Sequence, residues 1–201
     1  MSSSFQKLTD LYSQHRFQAI LDQVEPLNIS PSGDPEVANI VAAALFQVSK
    51  YEECLLWCEG LLPALGSRAS FISMYGAVLR RFERHSQAES LFRDGLKLHP
   101  SDQSLRNNFS NLLIDLRRYD EAEAILLSLV SEYPQYEDAR ANLNRLRFQK
   151  SLSTKDSESP AIVDHNNVTN DIFSDPIIAA FSDEELAQPA AIVTGKFLSG
   201  R

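Results

Sequence analysis

The chain has 201 residues, of which 43% are apolar and only 7 are glycine, a composition that favours a helical fold with one sizeable core. Its formal net charge of -8 argues against nucleic acid or an anionic membrane as the main partner, because both are bound by basic surfaces. No apolar run approaches the roughly 18 residues of a membrane span, and the first residues lack the pattern of a secretory signal. We therefore expect a cytoplasmic protein without membrane insertion.

A step of 34 residues organises most of the chain. In three segments, which begin at Tyr51, His85 and Tyr119, an aromatic or histidine ring is followed three positions later by a small residue. The small residues are 34 positions apart: Cys54, Ala88 and Ala122. Because a period held this strictly is hard to obtain by chance, it indicates a repeat architecture.

Each repeat is predicted to form two amphipathic helices. In the third repeat Ile72, Tyr75 and Leu79 follow helical spacing, and Phe92 and Leu96 do so again in its second half. The predicted repeats lie at about 3–34, 35–68, 69–102 and 103–136, followed by a capping helix at 137–149. The last helix has a polar outer side, as a capping helix requires because no further repeat covers it.

These residues resemble the tetratricopeptide repeat (TPR) family. The family has a small residue at its eighth position, where this chain has Ala42, Gly76 and Ser110. The resemblance covers residues 3–149 and implies an all-α, right-handed solenoid of about four helical hairpins with a capping helix. The chain departs from the family at the fourth position, which lacks the usual aromatic side chain: Ala38, Ile72 and Arg106 stand there.

The resemblance also implies a binding surface, because the first helices of TPR repeats line a concave groove. The family pattern places these polar side chains on it: Asn39, Ser73, Arg80, Arg81, Asn107, Asn108, Asn111 and Arg145. An asparagine amide both donates and accepts, so it can hold the backbone of an extended peptide, and the arginines can bind carboxylates. We expect the asparagines to be exposed; the alternative is that these positions are ordinary solvated ones without a partner.

The composition changes after the repeats. Residues 150–171 are polar and are predicted to be a flexible linker. Residues 172–201 form an acidic segment, in which Asp175 followed by Pro176 is a good helix start. A short amphipathic helix is predicted there, with one apolar side formed by Ile177, Ile178 and Phe181. This largely disordered tail is either a motif read by another protein or a segment that docks on the groove.

No constellation for catalysis is predicted. The only two cysteines, Cys54 and Cys58, are one helical turn apart at core positions, which favours buried structural thiols over a redox or metal pair. The four histidines are scattered, and no metal or cofactor is expected. The leading hypothesis is therefore a non-enzymatic adaptor or scaffold that binds a polypeptide segment. The alternatives are a self-regulated assembly element, which can self-associate through its tail, and a non-catalytic targeting subunit of a modifying enzyme.

Overall fold

The computed structural model describes residues 3–156, and within that range every regular element is an α-helix. The helices are α1 (Ser3–Ser13), α2 (Phe17–Leu21), α3 (Pro35–Gln47), α4 (Tyr51–Leu65), α5 (Ala69–Arg81), α6 (His85–Leu98), α7 (Gln103–Asp115), α8 (Tyr119–Glu132) and α9 (Glu137–Asp156). The predicted all-α fold is confirmed. None of these helices is long and apolar enough to cross a bilayer.

The helices follow the 34-residue step of the sequence. Helices α3, α5, α7 and α9 begin 34 residues apart, and so do α2, α4, α6 and α8. Each odd-numbered helix from α3 to α7 packs on the even-numbered helix that follows it, and α3, α5, α7 and α9 also pack on one another in sequence order. The result is a solenoid of helical hairpins, in which each repeat contacts its neighbours.

Helix α9 is longer than the predicted capping helix. It continues without a break from residue 137 to Asp156, seven residues past the expected end at 149 and into the predicted linker. Lys150 bonds Asp120 at 2.6 Å and Glu123 at 3.1 Å, both on α8. These contacts hold the extension of α9 against the preceding helix.

The turn inside each hairpin has one conformation that repeats with the same step. His15, Ser49, Glu83 and Arg117 all have positive φ, between 54° and 61°. The backbone N–H of Glu83 donates to the carbonyl of Arg80, and the N–H of Arg84 donates to the carbonyl of Leu79. This is a Schellman motif, the helix ending in which glycine is the preferred left-handed residue.

Glu83→Gly is therefore expected to stabilise the fold by about 0.5–1 kcal/mol. A left-handed conformation is costly for a residue with a Cβ atom, and relief of that strain outweighs the entropy that glycine adds to the unfolded chain. Urea unfolding measures the change. Glu83→Ala is the control, because alanine keeps the Cβ atom and gains nothing; equal stability of the two variants would contradict the explanation.

The core lies between the paired helices, where small and large residues alternate. Cys54, Ala88 and Ala122, which define the period in the sequence, are fully buried. The closest approach is at Gly76 on α5, where an added Cβ atom would lie 2.2 Å from Cζ of Phe92 on α6. Glycine is thus required at this position by contact with an aromatic ring and not by backbone conformation.

Ion pairs link the helices on the outer side of the solenoid. Arg118, just before α8, bonds Glu89 of α6 and Glu121 of α8, each at 2.6 Å. Arg106 of α7 bonds Glu132 of α8, and this guanidinium together with the Ser128 hydroxyl lowers the pKa of Glu132 to about 2. Because such pairs are exposed to solvent, they contribute little to stability individually.

Candidate functional site on the inner face

The first helices of the repeats are joined side by side by polar contacts along one face, which we call the inner face. Asn108 Nδ2 donates to Ser73 Oγ at 2.7 Å, and Asn142 Nδ2 donates to Asn107 Oδ1 at 2.9 Å. Both pairs join residues 35 positions apart on neighbouring first helices. Two of the predicted groove asparagines therefore serve as cross-links between consecutive repeats.

A second row of contacts runs parallel to the first, toward the ends of the same helices. Gln47 Nε2 lies 3.4 Å from the Tyr12 hydroxyl, and Arg80 Nε lies 2.5 Å from Asp115 Oδ2. These pairs again have a spacing of 35. Asp115 was not among the predicted site residues, although a search for complementary side chains 35 positions apart would have found it.

Arg145 on α9 makes a similar contact, with Nη2 donating to Asn111 Oδ1 at 2.8 Å. Its spacing is 34 and not 35, because the long arginine side chain reaches the equivalent position of the neighbouring helix. Six of the eight predicted groove residues take part in these contacts between neighbouring first helices. They are Ser73, Arg80, Asn107, Asn108, Asn111 and Arg145.

The expectation that the asparagines are exposed is wrong. Asn39 and Asn107 are each 3% exposed, and Ser73 and Asn111 are also buried. Their polar atoms are used between repeats, where an unpaired amide is costly. Asn107, Asn111 and Ser73 are thus parts of the framework, and they are not free amides waiting for a peptide backbone.

Asn39 is the exception in this row. Its Oδ1 atom is buried and accepts no hydrogen bond from the described residues. The residue 35 positions further on is Met74, and a thioether cannot donate a hydrogen bond. The row of polar contacts therefore ends between the third and second repeats.

The inner face consequently has two halves of different chemistry. The half formed by α7 and α9 is polar and carries the asparagine pairs. The half formed by α3 and α5 is apolar and is lined by small and aromatic or thioether side chains: Ala43, Phe46, Met74 and Ala77. We call this second part the apolar half.

Cations and aromatic rings border the apolar half. The Arg81 guanidinium lies 4.1 Å from the centre of the Tyr51 ring, within the range of a favourable cation–π interaction. Tyr51 in turn contacts Phe46 edge to face, with 5.6 Å between ring centres. Arg81 is an exposed residue, and the Tyr51 ring holds its guanidinium in place.

The cysteine pair lies on another side of the second repeat. Cys54 and Cys58 are both fully buried, with 3.9 Å between their Sγ atoms, and Cys54 Sγ lies 3.3 Å from the carbonyl oxygen of Ala42. The hydrogen bond with Cys54 and the burial together raise the pKa of the Cys58 thiol well above its usual range. A protonated, buried thiol is neither a nucleophile nor a metal ligand.

No group of three or more histidine, cysteine, aspartate or glutamate side chains within the described range is arranged to hold a metal ion. The predicted tail motif of Ile177, Ile178 and Phe181 lies outside the described residues.

Comparison with known proteins agrees with this geometry. Residues 79–146 match a family model described as a tetratricopeptide repeat. Over these residues the chain is similar to TPR proteins. Comparison of the chain with curated proteins gives no match.

Several solved structures have the same fold. MamA of AMB-1 has 14% sequence identity and a TM-score of 0.64, over 77% of this chain and 91% of MamA. YrrB, described as a TPR protein with an unusual peptide-binding site, has 19% identity and a TM-score of 0.58, over 74% and 76%. The Sgt2 TPR domain from Aspergillus fumigatus has 11% identity and a TM-score of 0.56, over 70% and 95%. At such low identities the likeness concerns the fold alone.

Proposed function

We propose that this protein is an interaction scaffold that binds a segment of another polypeptide along the apolar half of its inner face. The observation that carries the proposal is the exposed residue Arg81, whose guanidinium is stacked on Tyr51 at the border of an apolar surface. A cation fixed beside apolar side chains recognises a segment that combines carboxylates with hydrophobic residues. The general role agrees with the fold, which is used for binding proteins and peptides.

The polar half supports this role indirectly. Its side chains already bond one another across repeats, so they hold the first helices in a fixed relation before any ligand arrives. A preformed surface loses little conformational entropy on binding. The asparagines therefore act in this proposal as the support of the binding surface, and the apolar half with its arginines makes the contacts.

The test is selection of a displayed library of random peptides on the full chain, followed by affinity measurements with the peptides obtained. We expect peptides that carry acidic and apolar residues together, with affinity that falls as salt is added. Arg81→Glu is expected to weaken their binding about tenfold or more, because it removes a charge-assisted contact worth roughly 1.5–3 kcal/mol and introduces repulsion.

Arg93→Glu is the matched control. Arg93 is also an arginine above an aromatic ring, 5.3 Å from the centre of Phe109, but it belongs to a second helix, α6. Binding should be unchanged in this variant. If Arg93→Glu weakens binding and Arg81→Glu does not, the peptides use another surface and the proposal is wrong.

A further inference from the structure

Helices α3 and α5 are buried around their whole circumference. Ten consecutive residues of α3, from 37 to 46, and nine of α5, from 71 to 79, are all buried. Because consecutive helical residues point in all directions, with 3.6 residues in each turn, such a run is buried on every side. In sequence, too, residues 37–46 of α3 are apolar with the single exception of Asn39, which is typical of a fully covered helix.

The helices of the described range cover only part of that circumference. Those that pack on α5 are α3, α4, α6 and α7, and those on α3 are α1, α2, α4 and α5. All of them are members of the stack. In a two-layer stack such helices lie beside or behind the first helices, yet Ala43, Met74 and Ala77 of the inner face are almost completely buried.

The burial of the inner face is confined to part of the solenoid. Phe46 and Phe148 occupy equivalent positions, three repeats apart, on α3 and α9. Phe46 is 9% exposed and Phe148 is 64% exposed. The inner face is therefore shielded from solvent over the apolar half and is open to solvent at Phe148 of α9.

We propose that residues 171–186 of this same chain, DIFSDPIIAAFSDEEL, dock in cis over the apolar half and compete there with the external ligand. The competition rests on the proposed function, because the docked segment and the external ligand would bind the same surface. Ile177, Ile178 and Phe181 supply the apolar side chains that this surface buries. Asn39 Oδ1, which accepts no hydrogen bond from residues 3–156, offers an acceptor to the backbone of the docked segment.

Charge favours the same occupant. Residues 151–201 carry 3 basic and 8 acidic side chains, and residues 171–186 contain five acidic and no basic ones. Of the charged side chains described above at the inner face and its border, Arg80, Arg81 and Arg145 are cations, and Asp115 is an anion that pairs with Arg80. Asp183, Glu184 and Glu185 directly follow the apolar cluster, so they would meet the arginines that border the apolar half.

The connecting chain is long enough for docking in cis. Twenty residues separate Asp156, the last residue of α9, from Ile177. As a flexible chain they span roughly 25 Å in root-mean-square terms. Neighbouring packed helices are about 8–10 Å apart, so α5, two first helices away from α9, lies at a distance of about 20 Å. The span and the distance match, which makes the effective concentration of the segment high.

Labelling of an engineered thiol tests the inference in the full chain. Ala77→Cys places a thiol on the apolar half. The rate at which it reacts with a thiol reagent measures how far the docked segment shields this surface. We expect slow labelling in this variant and about tenfold faster labelling when Phe181→Asp is added, since loss of one buried aromatic contact of about 1.5–3 kcal/mol opens the docked state. Labelling of the native chain gives the background reaction of Cys54 and Cys58, which is subtracted.

Ala124→Cys is the matched control, because Ala124 is an exposed alanine on α8. Its labelling should be fast and indifferent to Phe181→Asp. The rate at Ala77→Cys should also stay constant on dilution. Equal rates at Ala77→Cys with and without Phe181→Asp would overturn the inference, and protection that disappears on dilution would overturn docking in cis.

The peptides selected on the full chain separate this inference from the proposed function. Phe181→Asp should raise their affinity about tenfold, as the competing segment is removed. Faster thiol labelling in a chain that selects no peptide would uphold the docked tail and contradict the scaffold role. Peptides that bind at the inner face with the same affinity in both chains would uphold the scaffold role and contradict the docked tail.

Discussion

Gly76→Leu is expected to destabilise the solenoid by roughly 3 kcal/mol, or more if the helix pair cannot shift. An added Cβ atom alone would lie 2.2, 2.6 and 2.7 Å from three ring atoms of Phe92. These distances are far inside van der Waals contact, and the ring is itself fully buried. Overpacking of a core usually costs about 1–3 kcal/mol, and leucine adds three more carbon atoms at the same place. Urea or thermal unfolding of the full chain measures the loss.

A double-mutant cycle shows whether contact with Phe92 is the cause. The positions equivalent to Gly76 and Phe92 hold Ala42 with Cys58 in the second repeat and Ser110 with Leu126 in the fourth. The residue opposite is thus smaller wherever a Cβ atom is present. Gly76→Ala should therefore be strongly destabilising alone and less so when combined with Phe92→Leu, with a coupling of about 1 kcal/mol or more. Additive effects of the two substitutions would show that the strain lies elsewhere.

The architecture could be predicted from the sequence because it depends on contacts that recur. Small residues at Cys54, Ala88 and Ala122 let paired helices approach each other, and each recurrence of the contact repeats the same step of 34. Helices α3, α5, α7 and α9 accordingly begin at that step. Side-chain size and hydrophobic periodicity are properties of the residues themselves, so they could be recognised without knowledge of the tertiary structure.

The end of α9 could not be predicted in the same way. Residues 150–156, KSLSTKD, are polar and contain no apolar period, which is the pattern of a linker. What holds the extension to the fold is Lys150 with Asp120 and Glu123. Those partners lie 30 and 27 positions earlier, and only the packing of α9 on α8 brings them together.

The asparagines of the inner face show a similar limit. A polar residue on the inner stripe of a helix has the same sequence pattern whether it faces water or a neighbouring helix. The difference lies in the register between first helices, which sets Asn107 beside Asn142 and Ser73 beside Asn108. Because of that register, the paired residues are 35 positions apart and not 34, and the extra position comes from how the helices pack. Recognition of the spacing of 35 would have turned separate polar positions into pairs.

Asn107→Ala is, for this reason, expected to lower the free energy of unfolding by about 1–3 kcal/mol. The substitution leaves Nδ2 of Asn142 without its acceptor in a buried site, and the loss of one partner from a buried pair incurs the desolvation penalty of the other. Asn144→Ala is the matched control: it is two positions from Asn142 on the same helix, but it is exposed, so it should change stability by no more than about 0.5 kcal/mol.

The double substitution Asn107→Ala with Asn142→Ala distinguishes the hydrogen bond from the volume removed. If the pair stabilises the contact between α7 and α9, the double variant should be more stable than the sum of the two single losses predicts, because no amide is left unpaired. Its α9 amides should also exchange faster than in the native chain, since α9, the last helix of the described range, packs on α7 and α8. A strictly additive loss, or an Asn107→Ala variant no less stable than Asn144→Ala, would mean that the amides are solvated positions after all. The surface proposed for ligand binding would then extend over the polar half.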